Sequence, residues 1–286
     1  MQRFFAKTIR LLSTPGMLTA YANWQFNKKI FRRLPSVNCS PRISISNWIN
    51  FSEYWSFYRG IPEFEKIFIF KSLQDSQSKQ NIAFDVGANI GIFTVTLADL
   101  ENVKVHSFEP ISYTFDRLKA NVARNDSISK NVVLNRAAVG LTKEKIEFQV
   151  FVSSPAINRL YVNKKSNCID SNQTVSVISL DDYCSKKQIK KIDFVKIDVE
   201  GMETQVFQGA INLLQKKLIS VILLEICPRN LSNAGNSVDS LYEIITQYGY
   251  VPYRISKNGS IGSTLKLNDL KKIVLENIAV VPSFFE

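Results

Sequence analysis

The sequence predicts an α/β protein with a parallel β-sheet, preceded by an N-terminal, mostly helical extension. Strand-like apolar segments and helix-like amphipathic segments alternate from Asn81 onward, which is typical of a parallel sheet with crossover helices. A segment with two glycines, residues 85–91, separates the first predicted strand from the first predicted helix. We therefore divide the chain into an extension, residues 1–80, and a main domain, residues 81–286.

The extension is aromatic-rich, broken by prolines and strongly basic. Residues 1–52 contain eight Lys and Arg and no Asp or Glu, whereas the whole chain has a net charge of +11. Arg3, Lys7 and Arg10 share one face of a predicted amphipathic helix. Such a helix in residues 1–42 either lies on an anionic membrane surface, binds an acidic partner or caps the main domain.

Other features of the composition indicate where the protein is located and which catalytic chemistries it can use. No apolar run approaches the ~18–20 residues of a membrane span, and the start lacks the apolar region of a secretory signal. Four widely separated cysteines fit free thiols. We expect a cytoplasmic protein, with peripheral membrane contact as the alternative. One histidine, His106, argues against Ser-His-Asp hydrolysis and multi-histidine metal sites, and its mid-strand position predicts a core residue.

The elements of the main domain follow in order along the chain. Helices are predicted near residues 91–100, 112–125, 203–217 and 237–247. An insertion at 140–191 contains an alternating, hairpin-like run at 145–151. The predicted strands are residues 82–86, 103–108, 131–137, 192–198, 219–226, 249–254 and 277–281.

The glycine loop predicts a cofactor that contains adenosine. Its glycines let the backbone pass close to a ligand, and the helix start that follows favours an anionic group. Glu109 ends the second strand, and an acid about 20 residues beyond such a loop is suited to hold a ribose. The loop lacks the G-x-G-x-x-G of dinucleotide sites. Asp85 would repel a diphosphate but suits an ammonium or a sulfonium, which favours S-adenosyl-L-methionine.

A second signature follows the strand at 192–198, where Asp198 and Glu200 lie beside a glycine. Ligands of open α/β sheets bind at the carboxyl ends of the strands, so Asp198 belongs to the same rim as Asp85 and Glu109. Glu203 is predicted to begin the next helix, where an acid stabilises the N-terminus. The candidate cofactor-binding residues are Asp85, Gly87, Ala88, Asn89, Gly91, Glu109 and Asp198.

In these motifs the chain resembles the FkbM-type methyltransferases over about residues 60–285. The shared segments are residues 85–91, 108–110, 118–121, 135–140, 179–183 and 193–201. The resemblance implies a class I methyltransferase fold, a Rossmann-like seven-stranded sheet with flanking helices, and S-adenosylmethionine as the donor. It also implies O-methylation of a hydroxyl on a sugar, glycan or secondary metabolite. Carried over by position, Asp85, Gly87, Asn89 and Gly91 resemble the loop at the methionine end, and Glu109 resembles the ribose ligand.

An alcohol acceptor must lose a proton during methyl transfer, which requires a base or a metal. Asp198 is the first candidate catalytic residue, with Lys196 and Glu200 beside it. A divalent cation held by Asp198, Glu200 and Glu225 is an open alternative. Lys196 and Glu225 interrupt apolar strands and are expected to pair with each other or with a neighbouring acid. Lys196 is then either a structural ion pair or part of the proton path.

Two other functions fit parts of the sequence. The net charge suggests an RNA or DNA methyltransferase, but the charge concentrates in the extension, outside the predicted site. A non-catalytic module that keeps the fold and binds S-adenosylmethionine is the second alternative. We expect a small-molecule or glycan acceptor rather than nucleic acid, and the sequence predicts no oligomeric state.

Overall fold

The computed structural model describes residues 37–38, 44–45, 60–74, 79–141, 145–150 and 171–283. The basic helix predicted in the first residues, and most of the predicted 1–80 extension, lie outside the described residues. The described part of the extension consists of two short paired strands, β1 (Val37–Asn38) and β2 (Ser44–Ile45), and one helix, α1 (Glu63–Gln74). No helix among the described residues is long and apolar enough to cross a bilayer.

One eight-stranded sheet forms the centre of the molecule. Its strand order is β12-β11-β13-β10-β9-β3-β4-β5. The strands are β3 (Asn81–Val86), β4 (Val103–Phe108), β5 (Val132–Asn135), β9 (Ile192–Ile197), β10 (Ile219–Ile226), β11 (Tyr250–Ile255), β12 (Ile261–Thr264) and β13 (Glu276–Pro282).

The sheet has the predicted parallel core. Strands β5, β4, β3, β9 and β10 are parallel, and β13 pairs antiparallel with both β10 and β11. This is the class I methyltransferase arrangement, and all seven predicted strands are present. The strand β12 was not predicted from the sequence, because this edge strand of four largely exposed residues lacks the apolar pattern of a buried strand.

The helices cover both faces of the sheet. The first face is packed by α1, α2 (Ile92–Ala98) and α3 (Ser112–Arg124), and the second by α5 (Leu180–Lys187), α6 (Glu203–Gln208), α7 (Ile211–Gln215) and α9 (Val238–Gln247). The predicted helix at 203–217 is thus two helices. Gly209 lies at the break, where a Cβ would meet the carbonyl oxygen of Gly140 at 2.1 Å. Further short helices among the described residues are α4 (Asp126–Ser129), α8 (Pro228–Asn233) and α10 (Leu267–Leu270).

The insertion at 140–191 contributes a second, smaller sheet. In it β8 (Ser171–Ile178) pairs antiparallel with β7 (Lys145–Val150), as the hairpin-like pattern predicts, and parallel with β6 (Ala138–Val139). The helix α5 in this insertion was not predicted from the sequence, although Ser179 caps it by accepting a hydrogen bond from the main-chain amide of Asp182.

Candidate functional site

A cavity of about 360 Å³ opens at the carboxyl ends of β3, β4 and β9. Chain order reverses between β3 and β9, and open α/β sheets bind their ligands at such a switch point. The cavity is lined by Val86, Gly87, Asn89, Phe108, Glu109, Pro110, Ile111, Thr114, residues 137–141, Ile146, Val177, residues 198–200, Met202, Gln205 and Gln208. Of the predicted cofactor residues, Gly87, Asn89, Glu109 and Asp198 border it.

The glycine loop is shaped by contacts with the protein itself. Gly87 has a φ of +84°, and the space where its Cβ would be is taken by the main-chain carbonyl of Asp198. Gly91 has a φ of +97°, and a Cβ there would lie 2.6 Å from the side-chain Cδ1 of Leu118 in α3. The glycines therefore let the loop pack against β9 and α3, and Gly87 also borders the cavity. Ala88 is buried behind the loop.

Glu109 is a buried carboxylate at the cavity wall. It accepts hydrogen bonds from the amides of Asn89, at 3.1 Å, and Ile111, at 2.9 Å. Burial raises its pKa to about 7, against the lowering effect of these two amides. The residue therefore joins the loop after β3 to the loop after β4, and its carboxylate can accept further hydrogen bonds from a ligand in the cavity.

Two other polar atoms that border the cavity lack a partner. Asn89 Oδ1 and Thr114 Oγ1 are buried with no hydrogen bond to any described residue. Buried polar atoms in folded proteins are nearly always satisfied. Together with Glu109 they form a polar edge to a largely apolar cavity, which fits a nucleoside-like ligand with hydroxyl and amino groups. The residues present thus fit the adenosine part of S-adenosylmethionine.

Asp85 lies behind the loop and does not border the cavity. It accepts a 2.6 Å hydrogen bond from Thr94 Oγ1 of α2, and it lies opposite Lys196 in the pairing of β3 with β9. Burial raises its pKa to about 6, although Thr94 and Lys196 both lower it. Its observed role is to anchor the start of α2 beneath the loop.

Asp198 connects the cavity to a buried charged cluster. It follows β9, borders the cavity and has a side chain about one-third exposed. Lys196 Nζ lies 3.9 Å from Asp198 Oδ2, so the lysine meets a neighbouring acid as expected. Burial raises the pKa of Glu225, which also faces Asp198, Lys196 and Glu200. The carboxyl of Glu225 is therefore suited to carry a proton and donate it in a hydrogen bond to Asp198.

Glu200 and Glu203 hold the turn after β9. Glu200 borders the cavity with a φ of +54°, unusual for a residue other than glycine, and accepts a hydrogen bond from the Asn230 amide. Glu203 begins α6, as predicted, and accepts a hydrogen bond from the Gly201 amide. Burial raises the pKa of Glu203 to about 7. The turn is therefore held by side chains on both sides, which fixes Glu200 at the cavity.

The match to known families decides the assignment. Residues 85–252, more than half of the chain, match the Methyltransferase FkbM domain. The chain belongs to the FkbM methyltransferase family. The matched segment includes the glycine loop, Glu109 and the turn after β9.

Similar proteins include two curated FkbM relatives. Hexuronic acid methyltransferase AglP of Haloferax volcanii is 30% identical over 158 residues, which cover 55% of this chain and 61% of that protein. The 31-O-demethyl-FK506 methyltransferase FkbM of Streptomyces tacrolimicus is 29% identical over 154 residues, which cover 45% and 59%. The chain thus spans about three fifths of the length of these relatives.

Solved structures that resemble this FkbM-family chain include a porphyrin methyltransferase. Magnesium protoporphyrin IX methyltransferase from Synechocystis PCC 6803, solved with bound SAM, is 10% identical with a TM-score of 0.46. The match covers 92% of this chain and 97% of that one.

The apolar wall of the cavity was not predicted from the sequence. It consists of residues 137–141, which follow β5, together with Ile146 and Val177 of the smaller sheet. One signal was available, since residues 135–140 are among the motifs that this chain shares with FkbM-type proteins. Ile111 and Thr114 had no such signal, because only the position of α3 brings them to the cavity.

His106 of β4 is a buried core residue, as predicted. Its Nδ1 lies 2.7 Å from the Tyr183 hydroxyl, and burial lowers its pKa to about 4. It does not border the cavity that contains Glu109. Within the described ranges, no group of three His, Cys, Asp or Glu side chains is arranged to hold a metal ion.

Proposed function

We propose that this protein is an S-adenosylmethionine-dependent O-methyltransferase that acts on a hydroxyl of a sugar, a glycan or a secondary metabolite. The observation that carries the proposal is the position of Glu109 in a cavity between the glycine loop and Asp198. A ribose held by Glu109 would direct the rest of the donor along the loop towards Asp198.

Different described residues would bind different parts of the donor. Glu109 would accept the two ribose hydroxyls, and Thr114 and Asn89 would supply hydrogen bonds at the adjoining edge. The apolar wall at residues 137–141 suits the adenine ring. The main chain of residues 87–89 would lie against the methionine end. When bound, S-adenosylmethionine supplies an electrophilic methyl group, and positioning the acceptor oxygen against it can provide roughly 7–11 kcal/mol of the acceleration.

Asp198 is the proposed base for the acceptor hydroxyl. It borders the cavity and remains partly exposed, so an acceptor that enters from solvent can reach it. The Lys196 ammonium lies 3.9 Å from its carboxylate, and Glu225 can donate a hydrogen bond to it. Glu200, held by Asn230, is proposed to position the acceptor on the other side of the turn.

The charge around the cavity supports a small-molecule or glycan acceptor over nucleic acid. The cavity lining contains no Lys or Arg among the described residues. A lysine-rich pocket does exist, formed by Lys104, Lys187, Lys190 and Lys191, but His106 and Asp193 place it at a different part of the sheet. Nucleic-acid binding depends on phosphate neutralisation, which this arrangement would not provide at the reacting centre.

Transfer of a labelled methyl group tests the proposal. The full-length chain is incubated with methyl-labelled donor and a panel of glycans, lipid-linked sugars and hydroxylated metabolites, with RNA and DNA as comparison substrates. We expect label in a hydroxylated acceptor, lost in Asp198→Asn. Label in nucleic acid alone would support the alternative function, and donor binding without any transfer would support the non-catalytic module.

The metal dependence of the reaction and the cellular location of the protein are tested by separate experiments. Chelation of the purified protein distinguishes a base from a metal at Asp198, because only a metal-dependent reaction would stop and recover with added Mg²⁺ or Ca²⁺. We propose a cytoplasmic protein whose residues 1–42 contact a membrane surface or an acidic partner. Cell fractionation, and co-sedimentation of the purified chain with anionic and neutral vesicles, would test both parts.

A further inference from the structure

The Lys196 ammonium group is fully buried and directed by one neutral acceptor. Its side chain is 1% exposed, and Nζ lies 2.7 Å from Asn277 Oδ1 of β13. Its other near contacts are weaker: Ile197 O at 3.5 Å, Asp198 Oδ2 at 3.9 Å and the Phe93 ring centroid at 5.2 Å. The hydrogen bond to Asn277 therefore fixes where the charge lies relative to Asp198.

The orientation of the Asn277 amide is set by a residue of the extension. Asn277 Nδ2 donates a 3.1 Å hydrogen bond to Glu65 Oε1 of α1. The Glu65 oxygen at this contact is an acceptor, so it binds the NH₂ end of the amide. The carbonyl end must then face Lys196, which only donates. Glu65 is 4% exposed, so solvent does not compete for this contact.

We propose that Glu65 is a positioning residue of the candidate active site: through Asn277 it holds the Lys196 ammonium beside the Asp198 carboxylate. This inference rests on the proposed function, since it assigns Asp198 the role of base. Glu65 and Asn277 both lie outside the segment that matches the FkbM family, at residues 85–252.

The charges that face Lys196 come from four elements. They are Glu65 of α1, Asp85 of β3, Asp198 after β9 and Glu225 of β10. Burial raises the pKa of Glu65, Asp85 and Glu225, so these three carboxyls hold protons more readily than an exposed acid does when pH falls. The Lys196 ammonium thus attracts several carboxyl groups at once. Its distance from each of them decides which carboxylate it interacts with most strongly.

Glu65→Gln tests the relay because it keeps the shape but replaces a carboxyl by an amide that can either accept from Asn277 or donate to it. Its amide can donate to Asn277, which allows the Asn277 amide to turn its NH₂ group towards Lys196. We expect kcat to fall about tenfold near neutral pH with little change in the donor KM. The acid limb of the kcat profile should move up by about one pH unit, because Asp198 loses its cation.

A double variant should restore a hydrogen-bonded connection from residue 65 through residue 277 to Lys196. In Glu65→Gln/Asn277→Asp, the glutamine amide donates to a carboxylate at position 277, and that carboxylate accepts from Lys196. We expect the acid limb and kcat to return towards wild type. Glu63→Gln is the matched control, because Glu63 belongs to the same helix but is 79% exposed. A normal acid limb in Glu65→Gln, or no recovery in the double variant, would overturn the inference.

Donor binding provides a readout that needs no acceptor. Calorimetry gives the affinity for S-adenosylmethionine relative to S-adenosylhomocysteine across pH, and only the first carries a positive sulfonium near Asp198. The pH at which this preference declines should rise in Glu65→Gln and not in Glu63→Gln. If the wild-type chain binds neither ligand, the proposed function fails with the inference. If it binds both and the two variants behave alike, only the inference fails. Should Glu65→Gln not fold, the double variant must still fold for the relay to stand.

Discussion

A Cβ on Gly87 would lie 1.8 Å from the main-chain carbonyl oxygen of Asp198. The donor loop and the proposed base are therefore in direct backbone contact, and Asp198 N in turn donates to the carbonyl of Val86 at 3.0 Å. A change in either segment displaces the other.

Gly87→Ala should abolish donor binding and lower stability. Real Cβ atoms do not approach a carbonyl oxygen this closely, and the φ of +84° adds strain for alanine. Calorimetry with S-adenosylhomocysteine and a thermal melt measure the two effects. Gly235→Ala is the control, since its φ is also positive at +79° but nothing lies within 4 Å of the added Cβ. Equal donor affinity in both variants would contradict the prediction.

Glu109→Ala should weaken donor binding far more than the chemical step. Two hydrogen bonds to a charged acceptor are worth roughly 1.5–3 kcal/mol each, so donor affinity should fall by about 100-fold or more. Turnover at saturating donor should largely recover, because Glu109 does not contact the acceptor. Initial rates across donor concentration measure both quantities. An unchanged donor KM would remove Glu109 from the ribose site.

Donor affinity should increase with pH between 6 and 8. The pKa of Glu109 is raised to about 7, chiefly by burial, so the carboxyl is largely protonated at pH 6 and accepts ribose hydroxyls poorly. Binding then favours the ionised form and releases a proton, and affinity should fall about tenfold per pH unit below 7. Calorimetry of S-adenosylhomocysteine binding, in buffers of different ionisation heat and at several pH values, measures the affinity and the number of protons released. Glu109→Gln should bind weakly and lose this slope.

Asp198→Asn should lose turnover while the fold and most donor affinity remain. The amide preserves the shape of the side chain but cannot take a proton from the acceptor, and a general base contributes about 10²–10⁴-fold. Single-turnover rates with a labelled donor, alongside a thermal melt, are the measurement. Wild-type turnover in this variant would show that Asp198 is not the base, and Lys196 and Glu200 would then be the next candidates.

The sequence predicted the central sheet well and the smaller elements poorly. Strands such as β4 and β10 have the predicted bounds because strands buried on both faces are continuous apolar runs. The strand β6 is two residues long and α5 is mostly polar, so neither has a strong periodic signal. Their positions depend on how the insertion folds back onto the sheet.

The same limit applies to the candidate site. Glu109 and Asp198 could be found because each follows an apolar strand at the rim that binds ligands. For Lys196, the sequence predicted only that a nearby acid would pair with it. Asn277 and Glu65 are 212 residues apart in sequence, and neither belongs to a motif. Long-range contacts of this kind become visible only once α1 is placed on the sheet.

The position of β13 has a consequence for synthesis of the chain. Residues 276–282 separate β10 from β11, so until they leave the ribosome these two strands have no partner on their facing edges. An apolar strand with a free edge is a site for wrong pairing with other chains. A nascent chain stalled before β13 should therefore recruit chaperones, and release of that segment should complete folding in one late step.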